Sequence, residues 1–379
     1  MLWHRKFLIA TTSVVVAALV PSVYALAPAA PATSKITWLA AGDSYSSGAG
    51  LPVTTGLCNR ADSSAHPEAY APDAYVDLRT SLPTLNRPTF VACSGATSAD
   101  FLRNKDSEGR PEWTSAMGRF DLVTFTFGGD NVNFAGILAQ CVLGGDPIAS
   151  PDPGHRCPSN AFIQNEITAQ LGVAYQSFLK KVADEAVTSG GNIVVLGYPD
   201  LIEPPARWTS ILRHLGRCQG ISTSDATQLR SDAADLNAAI NQDVNVVNAQ
   251  HPNGVTITFL NVNSGSDPGP ITISKNDKNL FEPSQAQGHN LCGTGSPWLN
   301  GIVLFDKHKS FHPSAPGNEA EGRLLAQLIP HLPGLGTQAV GTTTTTAPTS
   351  TTTTVPTSTT TTSTTTTTTT SPPVTMTAN

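Results

Sequence analysis

The chain is short of charge. Asp, Glu, Lys and Arg make up 13% of its 379 residues, and the formal net charge is only −6. Lys and Arg are scattered rather than clustered, so no basic face offers itself to nucleic acid, and no nucleic-acid partner is expected. No two cysteines stand at the C-x-x-C spacing of a zinc site, so the reading expects no metal and no cofactor. Long apolar runs are missing too. The run FLIATTSVVVAALV (Phe7–Val20) falls short of the roughly 20 residues that a spanning helix needs. The segment from Gly341 onward has almost no apolar side chains, and such a sequence cannot offset the entropy of ordering.

What stands at the two ends follows from those absences. A basic MLWHRK, the short apolar run, and small residues at Val23 and Ala25 read as a secretory signal over residues 1–25. Residues 337–379, rich in Thr and Pro, read as a disordered tail, an extended stalk that is either a spacer or a wall-facing tail. Residues 34–336 remain as one large domain, expected to be monomeric. Export accounts for the six cysteines as disulfides, paired as sequence neighbours: Cys58–Cys93, Cys141–Cys157 and Cys218–Cys292.

Four apolar runs recur along that domain: ITWLAA (Ile36–Ala41), LVTFTF (Leu122–Phe127), NIVVLGY (Asn192–Tyr198) and VTITFLNV (Val255–Val262). A weaker run, TFVAC, ends at Cys93. They are continuous rather than alternating, as in strands covered on both faces. Helical spacing of apolar residues fills the intervals over Ala161–Val187, Ser222–Asn248 and Asn318–Leu328. The alternation predicts an α/β fold with a parallel sheet between helices, whose cleft lies at the carboxyl ends of the strands. Gly- and polar-rich turns converge there: GDS after the first strand, CSGAT after the second, GGDN after the third and GYPD after the fourth.

A serine at such a rim becomes a nucleophile only with a base to take its proton and donors for the oxyanion. SFHPSAPGNEAEG supplies His312 in a turn just before the last helix. GDSYSSG, CSGAT, FGGDN and SFHP, in that order, resemble the four blocks of the SGNH (GDSL-type) hydrolases. GHNLCGTGSPWLNG (Gly288–Gly301) is similar to secreted actinobacterial lipases and esterases of that family. The resemblance implies a flavodoxin-like three-layer α/β/α sandwich of about five parallel strands. It also implies Ser44 as nucleophile and His312 as general base, with the Ser44 and Gly95 N–H groups donating to the oxyanion.

Two positions depart from the family pattern. Its third block is G-G-N-D, whereas this chain has Gly128-Gly129-Asp130-Asn131. An ionised Asp130 accepts hydrogen bonds only and would repel an oxyanion. Either the turn shifts so that Asn131 supplies the amide, or Asp130 is held protonated, or this donor is missing; the reading adopted is Asn131. Lys309 stands where many members place the Asp that orients the histidine. The Lys309 backbone carbonyl is expected to take that part, with Asp306 as the other candidate. Asp43 is read as a brace for the turn, and His308 as a solvated loop residue. His289 and Trp298 either line the pocket or pack beside Cys292. The insertions Ile202–Ser222 and Ser264–Lys309 are expected to shape an acyl pocket.

The expected activity is a secreted serine esterase or lipase acting on carboxylic esters, its partner a lipid or a short- to medium-chain acyl ester. Three readings stand beside it: a carbohydrate acetylesterase of the same family, a non-catalytic wall- or glycan-binding domain on a decayed hydrolase scaffold, and acyl transfer between alcohols in place of hydrolysis.

Overall fold

The computed structural model describes residues 34–62, 68–103, 106–143, 157–264, 271–283, 288–303 and 306–336. The segments read as signal peptide and as Thr-rich tail lie outside the described residues. Its strands are β1 (Trp38–Ala40), β2 (Thr89–Phe90), β3 (Phe120–Phe125), β4 (Val187–Leu196), β5 (Arg217–Cys218), β6 (Ile221–Ser222) and β7 (Thr256–Leu260). Five of them form one parallel sheet in the order β2–β1–β3–β4–β7, while β5 and β6 make a small antiparallel ribbon. Trp38, Leu39, Ala40, Leu122, Val123 and Ile193 to Leu196 are all buried, which is why their runs carry no polar alternation.

The helices are α1 (Ser44–Ser47), α2 (Tyr70–Leu78), α3 (Ser98–Leu102), α4 (Phe134–Leu143), α5 (Asn160–Gln170), α6 (Val173–Lys181), α7 (Ser210–Leu215), α8 (Thr223–Asn248) and α9 (Ala315–Leu328). One helix group pairs α2 with α9, and the other packs α8 against α5, α6 and β7. Helix α8 starts where its sequence says it should, because the Ser222 hydroxyl accepts from the Asp225 N–H at 3.1 Å. The spacing read as one helix over Ala161–Val187 resolves into two. Leu171 and Gly172 leave helical geometry, and Asp243 of α8 accepts from the Gly172 N–H at 2.8 Å and from Gln176 at 2.7 Å. The apolar residues on both sides of that break still face one core, so the spacing survives while the helix does not.

From β1 the chain runs outward to β2 and then returns past β1 to β3. The sheet therefore reverses its winding between β1 and β3, the place where open α/β sheets bind ligands. Phe101 of α3, Phe125 of β3, Phe127 and Phe178 of α6 form a ring cluster behind that edge, with centroids 5.2 to 6.3 Å apart. Each such pair adds about 0.5–1.5 kcal/mol to the burial of its rings, so the floor beneath the reversal is stiff.

All three cysteine pairs are joined as sequence neighbours. Cys58–Cys93 ties the loop beyond α1 to the end of β2, across 35 residues of sequence. The chain-entropy model gives that cross-link about 4 kcal/mol. Replacing both Cys58 and Cys93 by Ala should lower the unfolding free energy by an amount of that order in urea. A loss below about 1 kcal/mol would show that the cross-link does little beyond the packing around it.

Candidate active site

The GDS turn is built on a buried carboxyl. Asp43 caps α1 by accepting from the Tyr45 N–H at 3.0 Å, and it also accepts from the Thr126 hydroxyl at 2.6 Å and from the Tyr198 hydroxyl in a short bond. The directions of the neighbouring bonds follow. Thr126 gives its proton to Asp43, so it accepts from Ser46 at 2.8 Å, and Ser46 in turn accepts from Tyr70 at 2.9 Å. The Tyr198 oxygen accepts from the Gly129 N–H at 2.9 Å. Burial raises the Asp43 carboxyl to about 6 despite its hydrogen bonds, so it is mostly ionised at neutral pH. The ends of β1, β3 and β4 are thereby fastened to one side chain.

Ser44 then opens α1 at the cavity wall, and His312 comes to it from the loop before α9. The Ser44 Oγ and His312 Nε2 are 2.7 Å apart. His312 Nδ1 lies 2.9 Å from the Ser310 carbonyl oxygen, which can only accept, so Nδ1 carries the proton and Nε2 presents its lone pair to the serine hydroxyl. Burial lowers the imidazole to about 4, outweighing the Ser310 contact that favours the charged form; His308 lowers it further. The base is therefore neutral across the ordinary pH range.

Three contacts hold the histidine loop. The Tyr45 hydroxyl donates to the Phe311 carbonyl at 3.1 Å, and its ring lies against the imidazole with centroids 4.8 Å apart. Asn300 donates through its side chain to the Gly50 carbonyl at 2.7 Å and to the Lys309 carbonyl at 3.2 Å. A Cβ on Gly50 would meet the Pro313 carbonyl at 2.2 Å and the His312 Cβ at 2.8 Å, so only glycine lets the two loops meet. Phe311 holds φ 63°, a left-handed conformation unusual for a bulky residue, and it turns the next side chain toward Ser44.

The dyad opens on a cavity of about 610 Å³. Gly95 lines it with φ 85°, and a Cβ there would meet nothing within 4 Å. Among the described residues, neither the Ser44 nor the Gly95 N–H donates to another group of the chain. A serine with a neutral imidazole, two free N–H donors and an apolar chamber can attack an acyl carbon and stabilise the oxyanion that results.

No protein-family model matches the chain. It is 28% identical to a lipase of Streptomyces rimosus over 294 residues, covering 77% of this chain and 85% of that one. It is 26% identical to Lipase 1 of Streptomyces coelicolor over 301 residues, covering 77% and 86%. Lipase 2 of the same organism is 27% identical over 322 residues, covering 83% and 93%. The chain is a homologue of these Streptomyces lipases. Among solved structures, the extracellular lipase of Streptomyces rimosus aligns with a TM-score of 0.48 at 23% identity, covering 77% of this chain and 99% of that one.

Several expected residues of this lipase homologue stand elsewhere. Asn131 is turned away from the cavity: its amide donates to the Ser98 hydroxyl at 2.9 Å and accepts from the Ser98 N–H at 3.1 Å. The turn after β3 keeps its register, so Asp130 occupies the wall instead. The Lys309 carbonyl does not hold the imidazole, because the loop's tight 3-10 turn brings the Ser310 carbonyl round to Nδ1. Asp306 pairs with the Lys309 ammonium at 3.2 Å and does not reach His312. His289 stacks on Trp298 at 3.5 Å, outside the cavity wall. His308 is exposed, as read, yet it also borders the cavity. Ile302 and Val303 of the second insertion line the chamber, and among the described residues the insertion Ile202–Ser222 does not.

Tyr198 was not expected at the site, although GYPD at the end of β4 marked its place. Nor was α4, whose Phe134, Leu138 and Val142 make the apolar wall. Burial lowers the His312 imidazole to about 4, so NMR titration of its ring should find a midpoint near 4, separate from the Asp43 carboxyl at about 6. A ring midpoint near the ordinary histidine value of 6.5 would contradict the desolvated setting.

Proposed function

We propose that this protein is an exported serine hydrolase of carboxylic esters. The observation that carries it is the 2.7 Å contact between Ser44 Oγ and the lone pair of His312 Nε2, its tautomer set by the Ser310 carbonyl. Ser44 attacks the acyl carbon as His312 takes its proton. The Ser44 and Gly95 N–H groups donate to the oxyanion, and His312 returns the proton to the leaving alcohol. Water activated by the same imidazole then hydrolyses the acyl-enzyme.

Phe134, Leu138, Val142, Ile302 and Val303 line the chamber, and this apolar wall favours an aliphatic acyl group over acetyl on a polysaccharide. A decayed, purely binding scaffold has no use for a correctly protonated dyad, which speaks against that alternative. Disulfides support export, with residues 1–25 as its signal and residues 34–336 as the monomeric catalytic domain. The Thr-rich residues 337–379 act as a spacer toward the cell wall, on the strength of their composition.

Hydrolysis of p-nitrophenyl acetate, butyrate and laurate by the protein and by Ser44→Ala tests both parts. The variant should lose about 10⁴-fold or more in kcat. Butyrate should exceed acetate in kcat/KM by about tenfold, as two buried methylenes allow. Equal rates for variant and parent would remove the serine hydrolase, and a clear preference for acetate would replace the aliphatic pocket with an acetylesterase site.

A further inference from the structure

The turn after β3 leaves one carboxyl without a hydrogen-bond partner among the described residues. Asp130 lines the cavity together with Ser44, Gly95 and His312. Among the described residues no group donates a hydrogen bond to its carboxyl, and no Lys or Arg borders the cavity. The titratable groups that face it are Asp43 at the start of α1, Tyr45 on α1, Asp100 on α3, Tyr198 beyond β4, and His308 and His312 in the loop before α9. His312, the base candidate among them, is held neutral by its burial. Asn131, the neighbouring amide, is committed to Ser98 on both its oxygen and its nitrogen.

Resting on the serine hydrolase reading, we propose that Asp130 is the third oxyanion donor, a neutral acid whose O–H hydrogen-bonds the developing alkoxide, and that its ionisation turns the site down at alkaline pH. A protonated carboxyl carries the donor that an amide would otherwise supply, and an apolar setting can keep an acid in that form. The setting does so here: burial, then the charges of Asp43 and Asp100, push the Asp130 carboxyl up to about 8. No proton leaves Asp130 during turnover. It donates a hydrogen bond to the oxyanion and keeps its proton as the tetrahedral intermediate collapses. Ionised, the same side chain has no donor left and sets a negative charge against the oxyanion.

The test is the pH profile of kcat/KM for p-nitrophenyl butyrate, taken on the full exported protein beside Asp130→Asn, Asp130→Ala and Ser44→Ala, after subtraction of spontaneous hydrolysis. The parent should lose activity by about 10²-fold as pH rises, with a midpoint near 8, the loss expected for one oxyanion donor. Asp130→Asn should keep activity within about tenfold at pH 6 and show no alkaline fall, since an amide donates at every pH. Asp130→Ala should be about 10²-fold down at all pH values.

A parent profile flat to pH 10, an alkaline fall that persists in Asp130→Asn, or full activity in Asp130→Ala would each overturn the proposal. Titration of the Asp130 carboxyl by ¹³C NMR in the parent decides the matter even if both variants fail to fold. A midpoint near the usual 3.8 would exclude the neutral acid. Ser44→Ala separates the two readings. If it is inactive while Asp130 behaves as an ordinary carboxylate, the hydrolase stands and only the Asp130 assignment falls.

Discussion

Everything at the site rests on the burial of one carboxyl. Asp43 is 1% exposed, and a carboxyl in that position must be satisfied by donors or give up its charge. The donors are the Tyr45 N–H, the Thr126 hydroxyl and the Tyr198 hydroxyl, drawn from α1 and from beyond the ends of β3 and β4. Because each approaches from a different element, satisfying the carboxyl fixes the mutual position of those elements. Ser44 is the next residue along the chain. Its place at the rim therefore follows from the hydrogen bonds of its neighbour more than from any contact of its own.

The histidine is placed by a different device. No carboxylate holds its second nitrogen; a backbone carbonyl does, and a carbonyl adds direction without adding charge. With its pKa lowered to about 4 by burial, the imidazole is a weak base in the resting protein. A proton taken from a serine by so weak a base is returned promptly to the leaving group, which suits alcohol leaving groups. The loop that carries it is pinned by Tyr45 and Asn300 to the segment just after Ser44, so nucleophile and base are braced against each other rather than against the sheet alone.

Much of this was legible in the sequence. The continuous apolar runs marked strands covered on both faces, and the polar turns after them marked the rim. GDSYSSGAG carries more than the serine: Asp43 is the anchor, Tyr45 supports the base, and Gly50 is the gap into which the histidine loop fits. What escaped was set by backbone geometry between residues adjacent in sequence. Whether Lys309 or Ser310 turns its carbonyl to the imidazole depends on a single peptide rotation, and neither residue type reveals it. The same holds for Asp130 and Asn131, where the side chain that meets the cavity is chosen by the turn and by the presence of Ser98 across from it. Helix α4 shows ordinary helical spacing, with Phe134, Ile137, Leu138, Cys141 and Val142 on one side and Ala135, Gly136, Ala139 and Gln140 exposed, so FAGILAQCVL was legible as a helix and went unread.

The most direct measurement is site-resolved mass spectrometry after treatment with a fluorophosphonate, which forms a stable adduct only with an activated serine. A single adduct on Ser44, lost in His312→Ala while the variant remains folded, is the result that the Ser44–His312 arrangement requires. An adduct on another serine, or labelling of Ser44 that is unchanged without His312, would contradict it.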